Sequence, residues 1–173
     1  MGILNRFRLE QPEDIEEIYA VEVAAFQQTD EAELVNKLRG REECLCSVVA
    51  ESNGRIVGHC LFTKVTVKSP KGNFEAAALG PVAVLPEWQG EKIGTMLIIT
   101  ATNVVIEKGY QILFVLGDPN YYNRFGYSNA HDLGFSLPYE VPQGSFMVAG
   151  LSPQVLRGKS GVVYYAKEFD ALV

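Results

Sequence analysis

The sequence has no long hydrophobic run. A membrane-spanning helix needs about 18 or more consecutive apolar residues, and no such stretch occurs. The first ten residues carry Arg6 and Arg8 rather than the apolar segment of a secretory signal. Basic residues are also few, with 15 lysines and arginines against 21 aspartates and glutamates and a net charge of −6. This balance disfavours a nucleic-acid backbone as the main partner and suits a cationic substrate. We therefore expect a cytoplasmic protein with neither a membrane nor a nucleic acid as partner.

Cysteine and histidine are scarce, which bears on metal and thiol chemistry. Cys44, Cys46 and Cys60 are odd in number, so they do not suggest a disulfide framework. Only His59 and His131 are available to complete a zinc site. A thiol nucleophile is disfavoured too, because the sequence gives no way to place a histidine side chain against a cysteine thiol in space. We expect no bound metal and three structural cysteines that act as small hydrophobes.

The two common nucleotide-binding motifs are missing as well. No two glycines are separated by a single residue, which excludes the dinucleotide pattern, and no Gly-Lys-Ser/Thr follows the main glycine turn. That turn lies in residues 79–95, where the apolar run Val82–Leu85 stops at Pro86 and Gln89–Gly94 leads into apolar residues at helical spacing. The first turn of a helix has unpaired N–H groups and a positive dipole end, so it can hold phosphate. The stretch therefore predicts either a phosphate cradle or an ordinary strand-to-helix turn.

The remaining pattern predicts an α+β protein, and the length of 173 residues predicts a single domain over 1–173. Asn53-Gly54 between two apolar runs is a strong hairpin signal. Predicted strands lie at 6–9, 45–51, 56–67, 74–85, 112–116, 146–149 and 162–165. Predicted helices lie at 12–26, 30–38, from about 93 to 108, and at 120–125. One strand–helix–strand unit, 74–116, is expected to have parallel strands.

Three stretches of the sequence resemble the GNAT N-acetyltransferases: residues 8–19, 79–94 and 117–127, the last containing Tyr-x-x-x-Gly-aromatic. The resemblance covers roughly residues 3–130 and leaves 131–173 as a divergent region on the substrate side. It implies a mixed, mostly antiparallel sheet flanked by helices, with a splayed strand pair. It also implies direct transfer of an acetyl group from acetyl-CoA to a primary amine of a small molecule, peptide or protein. Such folds often pair through terminal strands, which by analogy suggests a homodimer.

The resemblance assigns the cofactor site. It implies that the backbone of β-strand residues Val82, Ala83 and Val84 pairs with pantetheine, and that an N–H near Val82 faces the thioester oxygen. The residues of the turn that would wrap the pyrophosphate are Gln89, Gly90, Glu91, Lys92, Ile93, Gly94 and Thr95. Arg124 is expected to reach a phosphate or to lie in solvent. Lys92 stands where the family has glycine, so its side chain must turn away or pair with a phosphate, and a positive φ would be strained.

The resemblance also assigns the acid that protonates the leaving thiolate to Tyr122. Tyr121 is the alternative, but neighbours on a helix point about 100° apart, so both cannot serve. An alkylammonium costs about 4.6 kcal/mol to deprotonate at pH 7, against about 1–1.4 kcal/mol for an α-amino group. The base candidates are therefore Glu22, Glu75, His59 or a relay through water.

Two further alternatives stay open from the sequence. A non-catalytic module that binds or senses acyl-CoA would have the same fold, and Lys92 is the residue that favours it. A flavodoxin-like or Rossmann nucleotide binder is disfavoured, because strand–helix alternation occurs only once. Tyr139, Phe146, Tyr164 and Tyr165 are expected either to line an acceptor pocket or to belong to the core.

Overall fold

Residues 5–172, which the computed structural model describes, form a nine-stranded sheet with helices on both faces. The strands are β1 (Asn5–Leu9), β2 (Cys44–Ser52), β3 (Arg55–Lys68), β4 (Phe74–Val84), β5 (Ile112–Leu116), β6 (Ser128–Asn129), β7 (Phe135–Ser136), β8 (Phe146–Gly150) and β9 (Gly161–Tyr164). The α-helices are α1 (Ile15–Phe26), α2 (Asp30–Leu38), α3 (Ile93–Glu107), α4 (Pro119–Tyr122) and α5 (Pro153–Leu156). Short 3-10 helices lie at Pro12–Asp14, Pro86–Trp88, Asn123–Phe125, His131–Leu133 and Lys167–Leu172.

The strands are arranged in the order β1-β2-β3-β4-β5-β8-β6. Neighbours in this row are antiparallel except β4 and β5, which are parallel and are joined through α3. β9 pairs with the far end of β3, at Thr66 to Lys68, and with β7. The predicted β2–β3 hairpin is present, and Asn53 and Gly54 both have positive φ, as its tight turn requires.

Two successive residues of β3, Gly58 and His59, show which helices cover each face of the sheet. His59 contacts Glu22 of α1, whereas a Cβ added at Gly58 would meet Leu97 of α3 at 2.8 Å. Because successive strand residues point to opposite faces, α1 and α3 lie on opposite sides. α2 packs against α1 and thus belongs to the face of α1. The absence of a side chain at Gly58 lets α3 approach the sheet closely.

The core is built from apolar runs that are buried on both faces of the sheet. Phe114 of β5 stacks on Phe146 of β8, with ring centroids 5.5 Å apart, and meets the edge of Phe135 at 5.2 Å. All three rings are fully buried or nearly so. Burial of each such side chain contributes about 1.5–3 kcal/mol, so β5 and β8 are firmly joined beside the site described below.

The predicted elements are present, with a few differences. The helix expected from Pro12 begins with a 3-10 turn, in which Asp14 accepts a hydrogen bond from the Gln11 N–H at 2.8 Å. β9 ends at Tyr164, so Tyr165 lies outside the strand expected to contain it. The two-residue strands β6 and β7 and the short helix α5 were not predicted, because elements of this length show no periodicity. Within the described range, no helix is long and apolar enough to cross a membrane.

Candidate active site

The parallel strands β4 and β5 separate halfway along their length. They pair from Ala77↔Leu113 to Leu79↔Val115, and the described residues show no pairing between them beyond that point. Pro81, which follows Gly80 through a cis peptide bond, has no N–H with which to continue the ladder. β4 also has one more residue than β3 between the pairs Phe62↔Leu79 and Cys60↔Val82. The edge of β4 that faces β5 is therefore free of strand partners after Leu79.

A cavity of about 390 Å³ opens where the two strands diverge. We call it the splay cavity. Its lining is mostly apolar and aromatic and comes from α1, α2, β4, β5, α4 and the C-terminal residues. The lining residues are Phe26, Glu31, Leu79, Gly80, Pro81, Val82, Leu116, Gly117, Asp118, Tyr122, Tyr139, Tyr165, Phe169 and Leu172.

Tyr122 is placed in this cavity by the turn that follows β5. Gly117 and Asp118 lead into α4, and the Asp118 carboxylate accepts a hydrogen bond from the Asn120 N–H at 2.9 Å. A Cβ added at Gly117 would lie 2.4 Å from Cε2 of Tyr122, so a larger residue there would displace the ring. Burial raises the pKa of Tyr122 above the ordinary phenol value. The hydroxyl therefore keeps its proton throughout the neutral range.

A second cavity, of about 310 Å³, lies at the start of α3, and we call it the turn cavity. Its lining residues are Val84, Trp88, Gln89, Gly90, Lys92, Ile93, Gly94, Thr95, Tyr121 and Arg124. Of the residues predicted for the cofactor turn, Glu91 alone does not line it. Gln89 donates from Nε2 to the Val84 carbonyl at 3.1 Å, which holds the turn against the end of β4.

The turn cavity is suited to an anion. The first α3 bond runs from the Met96 N–H to the Lys92 carbonyl, which leaves the preceding N–H groups without intrahelical acceptors. No side chain of the described residues caps them at Lys92. Lys92 has φ 63° and ψ 16°, which is the left-handed conformation. A positive φ is strained for lysine, as noted in the sequence analysis. Lys92 and Arg124 are the basic residues of the lining.

Tyr121 and Tyr122 lie in different cavities, as the 100° step between helix neighbours predicts. The Tyr121 hydroxyl stands 3.0 Å from where a Cβ on Gly94 would be. The Arg124 guanidinium lies 4.6 Å from the centre of the Tyr121 ring and donates from Nε to the Tyr121 carbonyl at 2.9 Å. Tyr121 and Arg124 thus belong to the turn cavity and Tyr122 to the splay cavity.

The predicted base candidates do not line the splay cavity. Glu75 is 58% exposed, lies 3.5 Å from the Lys64 ammonium and faces a different cavity beside Tyr110. Glu22 and His59 are fully buried, and Glu22 Oε1 is 2.6 Å from His59 Nδ1. The carboxylates that do line the splay cavity are those of Glu31 and Asp118.

The buried Glu22–His59 pair continues into a chain of partly buried hydrogen bonds. His59 Nε2 lies 2.8 Å from Ser47 Oγ, Ser47 contacts Glu10, and Glu10 is paired with Arg39. An ionised Glu10 carboxylate can only accept hydrogen bonds, so we assign the Ser47 hydroxyl proton to the bond from Ser47 to Glu10. His59 must then donate its Nε2–H to Ser47 Oγ. A single proton remains for the contact between Glu22 and His59 Nδ1. The pair is then neutral as a whole, which limits the cost of burying it.

The other predicted residues divide between cavity and core. Tyr139 and Tyr165 line the splay cavity, whereas Phe146 is in the core and Tyr164 packs against Lys68 at the surface. Burial raises the pKa of Cys46 to about 12, and it also raises that of Cys60, so neither thiol is a nucleophile at neutral pH. In residues 5–172 no group of three or more histidines, cysteines or acids could hold a metal ion.

Sequence reasoning missed several lining residues. Phe26 and Glu31 carry no local signal, because their position depends on how α1 and α2 cross the sheet. Phe169 and Leu172 lie in the C-terminal 3-10 helix, where no periodicity was visible. Asp118 could have been found, since it closely follows a buried strand at the edge where parallel strands place their ligands.

Residues 6–130, which include the divided strand pair and the turn before α3, match the family model described as "Acetyltransferase (GNAT) domain". The chain belongs to the GNAT family and is an acyltransferase. The Escherichia coli K12 protein named "Uncharacterized N-acetyltransferase YjhQ" is 37% identical over 140 residues, 79% of this chain and 77% of YjhQ.

Two solved structures of relatives share the fold. The crystal structure of Escherichia coli YhbS, a GNAT family N-acetyltransferase in complex with CoA, superposes with a TM-score of 0.91 at 27% identity and covers 98% of this chain and 94% of that one. A GNAT acetyltransferase from Brucella melitensis in complex with acetyl-CoA gives a TM-score of 0.78 at 31% identity, covering 96% and 99%. The predicted fold, a mixed sheet flanked by helices with a splayed pair, is confirmed.

Proposed function

We propose that the protein transfers an acetyl group directly from acetyl-CoA to a primary amine of a small molecule or peptide. The observation that carries this proposal is the position of Tyr122, in the cavity where β4 and β5 separate and beside the free edge of β4. The CoA and acetyl-CoA complexes of the two relatives support the choice of acyl donor.

The residues present fit the donor. The turn cavity offers free N–H groups at the start of α3 and the cations Lys92 and Arg124, which suit a pyrophosphate. A Cβ added at Gly90 would meet no described atom within 4 Å, so the space beside the turn is open. The free backbone edge of Val82, Ala83 and Val84 would bind the pantetheine amides, and an N–H near Val82 would donate to the thioester oxygen. When bound, acetyl-CoA supplies an acetyl group activated as a thioester.

Tyr122 acts as the general acid in this proposal. As the amine nitrogen bonds to the acetyl carbon and the carbon–sulfur bond breaks, Tyr122 donates its hydroxyl proton to sulfur and later recovers one from solvent. Burial raises the pKa of Tyr122, but it also raises the pKa of a thiol in the same place. Proton transfer from Tyr122 to the thiolate depends on the difference between these two pKa values. The raised pKa of Tyr122 is therefore compatible with its role as the acid.

The amine must lose a proton before or during its attack. Glu22 and His59 have no exposed surface, and Glu75 faces another cavity, so none of them contacts an amine in the splay cavity. We therefore assign this proton to a relay through water, for which the cavity is open to solvent.

The test compares Tyr122→Phe with Tyr121→Phe by titration calorimetry with acetyl-CoA and by thiol release on an amine panel. Tyr122→Phe is expected to lower kcat by about 10²–10⁴-fold, the usual contribution of general acid catalysis. Its acetyl-CoA Kd should stay close to the wild-type value, and Tyr121→Phe should retain most of kcat. Equal kcat in wild type and Tyr122→Phe would contradict the acid assignment. Acetyl-CoA binding without turnover on any amine would instead favour the acyl-CoA binding module.

A further inference from the structure

The charges of the splay cavity indicate which kind of amine it accepts. Among the described residues of its lining, the charged ones are Glu31 and Asp118, and both are acidic. We infer that the acceptor is a primary amine with one positive charge on an apolar body, and that Glu31 binds its ammonium group until the water relay removes the proton. The inference rests on the proposed acetyl transfer and adds the chemical class of the acceptor.

Glu31 is held in place for this role. It is the second residue of α2, and Gln28 donates from Nε2 to both carboxylate oxygens at 3.0 Å. The side chain is half-buried and has no cationic partner among the described residues. A carboxylate in a largely apolar wall attracts a cation more strongly than one in water, because the surrounding dielectric constant is lower. The ammonium of a substrate would supply the missing countercharge.

The remainder of the lining suits an apolar body. Tyr165 and Phe169 meet edge to face with ring centroids 5.1 Å apart, and Tyr139 lines the same cavity. Aromatic faces bind apolar groups and also attract a cation. The cavity volume of about 390 Å³ is at the small end for ligand pockets, and the end of the proposed pantetheine arm would take up part of it. An acceptor with a body of about one ring fits the space that is left.

The same lining disfavours other amines. A carboxylate on the acceptor would meet Glu31 and Asp118 with no cation on the described wall to offset them. A polyamine would have to desolvate further ammonium groups, for which the described lining offers only one other carboxylate, that of Asp118, and a sugar would have to desolvate several hydroxyls against a mostly apolar wall. The pocket therefore discriminates by charge and polarity.

The aromatic wall lies outside the part of the chain that matches the family model. Tyr139, Tyr165 and Phe169 follow the match, which ends at residue 130. The segment that carries Phe169 is held to the rest of the protein by an ion pair between Arg41 and Glu168 at 3.1 Å. The selectivity argued here thus depends on residues that follow the part of the chain matched by the family model.

The first test compares kcat/KM for acetylation of phenethylamine, glucosamine, spermidine and glutamate, followed by thiol release from acetyl-CoA. We expect phenethylamine to exceed each of the others by about tenfold or more, the discrimination that unpaired polar groups in an apolar pocket produce. Glucosamine, spermidine or glutamate acetylated as efficiently as phenethylamine would overturn the inference and leave acetyl transfer intact.

The second test uses Glu31→Gln, with Glu33→Gln as its control. Both residues lie on α2, but Glu33 is exposed and outside the cavity. Glu31→Gln should raise the KM for phenethylamine by about tenfold, as loss of a hydrogen bond to a charged group does. The KM for acetyl-CoA and the melting temperature should not change. If Glu31 had a purely structural role, its substitution would change both values. Glu33→Gln should leave all three values unchanged, and equal behaviour of the two variants would contradict the role of Glu31.

If no amine is acetylated, calorimetry with phenethylamine and the CoA-bound protein separates the two proposals. Phenethylamine binding that weakens in Glu31→Gln would support the acceptor class and contradict acetyl transfer. Absent binding, or binding that Glu31→Gln leaves unchanged, would overturn the inference.

Discussion

Lys92 combines an unfavourable backbone conformation with a position in the turn cavity. A non-glycine residue in the left-handed region costs about 1–2 kcal/mol, and Lys92 has φ 63°. Such strain persists at functional sites when a side chain contributes something glycine lacks. An ammonium group beside the proposed pyrophosphate site would be such a contribution.

Substitution of Lys92 by glycine or alanine separates strain from charge. Lys92→Gly should raise the free energy of unfolding by up to about 1 kcal/mol, since glycine adopts this φ freely, whereas Lys92→Ala should give no such gain. Both should weaken acetyl-CoA binding by about tenfold, because both lose the ammonium. Urea unfolding and titration calorimetry measure these two effects. Unchanged affinity in both variants would show that the Lys92 side chain is directed away from the cofactor.

Ser47 is the middle of the hydrogen-bond chain that connects Glu22 and His59 to Glu10. Ser47→Ala would leave His59 Nε2 and a Glu10 oxygen without their partner, so we expect the free energy of unfolding to fall by about 1–3 kcal/mol. Ser52→Ala is the control on the same strand, since the buried Ser52 hydroxyl has no partner among the described residues. Urea unfolding of both variants provides the comparison. A Ser52→Ala loss as large as that of Ser47→Ala would contradict the assignment.

Among the elements, the end of β5 determines where Tyr122 lies. Gly117 has an ordinary negative φ, so alanine is allowed by the backbone there, but its Cβ would collide with the Tyr122 ring. The ring rather than the strand can move, because it lies at the edge of the splay cavity.

Gly117→Ala should therefore lower kcat by about tenfold or more, with a melting temperature close to that of wild type, since misplacement by about 1 Å is costly in catalysis. In the Tyr122→Phe background the same substitution should cause no further loss, because both changes act through one hydroxyl. Thiol release and thermal unfolding of the three variants measure this. Additive losses would mean that Gly117 affects turnover by another route.

The elements also show how far the sequence predicts this structure. β5 was predicted with its correct bounds because a strand buried on both faces is an unbroken apolar run. The β2–β3 hairpin followed from Asn53-Gly54 between two apolar runs. Glu31, in contrast, is an ordinary acidic residue in the first turn of α2, and only the packing of α2 beside the sheet brings it to the cavity. The local sequence pattern specifies the helices and strands, whereas long-range packing determines which residues line a cavity.

At the scale of the whole molecule, the net charge of −6 and the acidic cavity would act together on the cationic acceptor inferred above. Long-range attraction to a negatively charged protein speeds encounter and is screened by salt. The kcat/KM for phenethylamine should fall severalfold between about 0.02 and 0.5 M sodium chloride, with kcat at saturating amine unchanged. Glu31→Gln should show a weaker dependence. A kcat/KM that does not depend on salt would contradict steering by charge.

The far end of β3 has a consequence for how the protein is made. β2 pairs with β3 from Arg55 to Thr63. Thr66 to Lys68 of β3 pair instead with β9, and β5 pairs with β8, and both of these partner strands are synthesised later. On the ribosome, both edges stay unpaired until almost the whole chain has emerged, although the segment that matches the family model is finished by residue 130. Open apolar edges invite pairing with other chains. A nascent chain stalled after residue 130 is thus exposed to aggregation, and the sheet is completed only with the last strand.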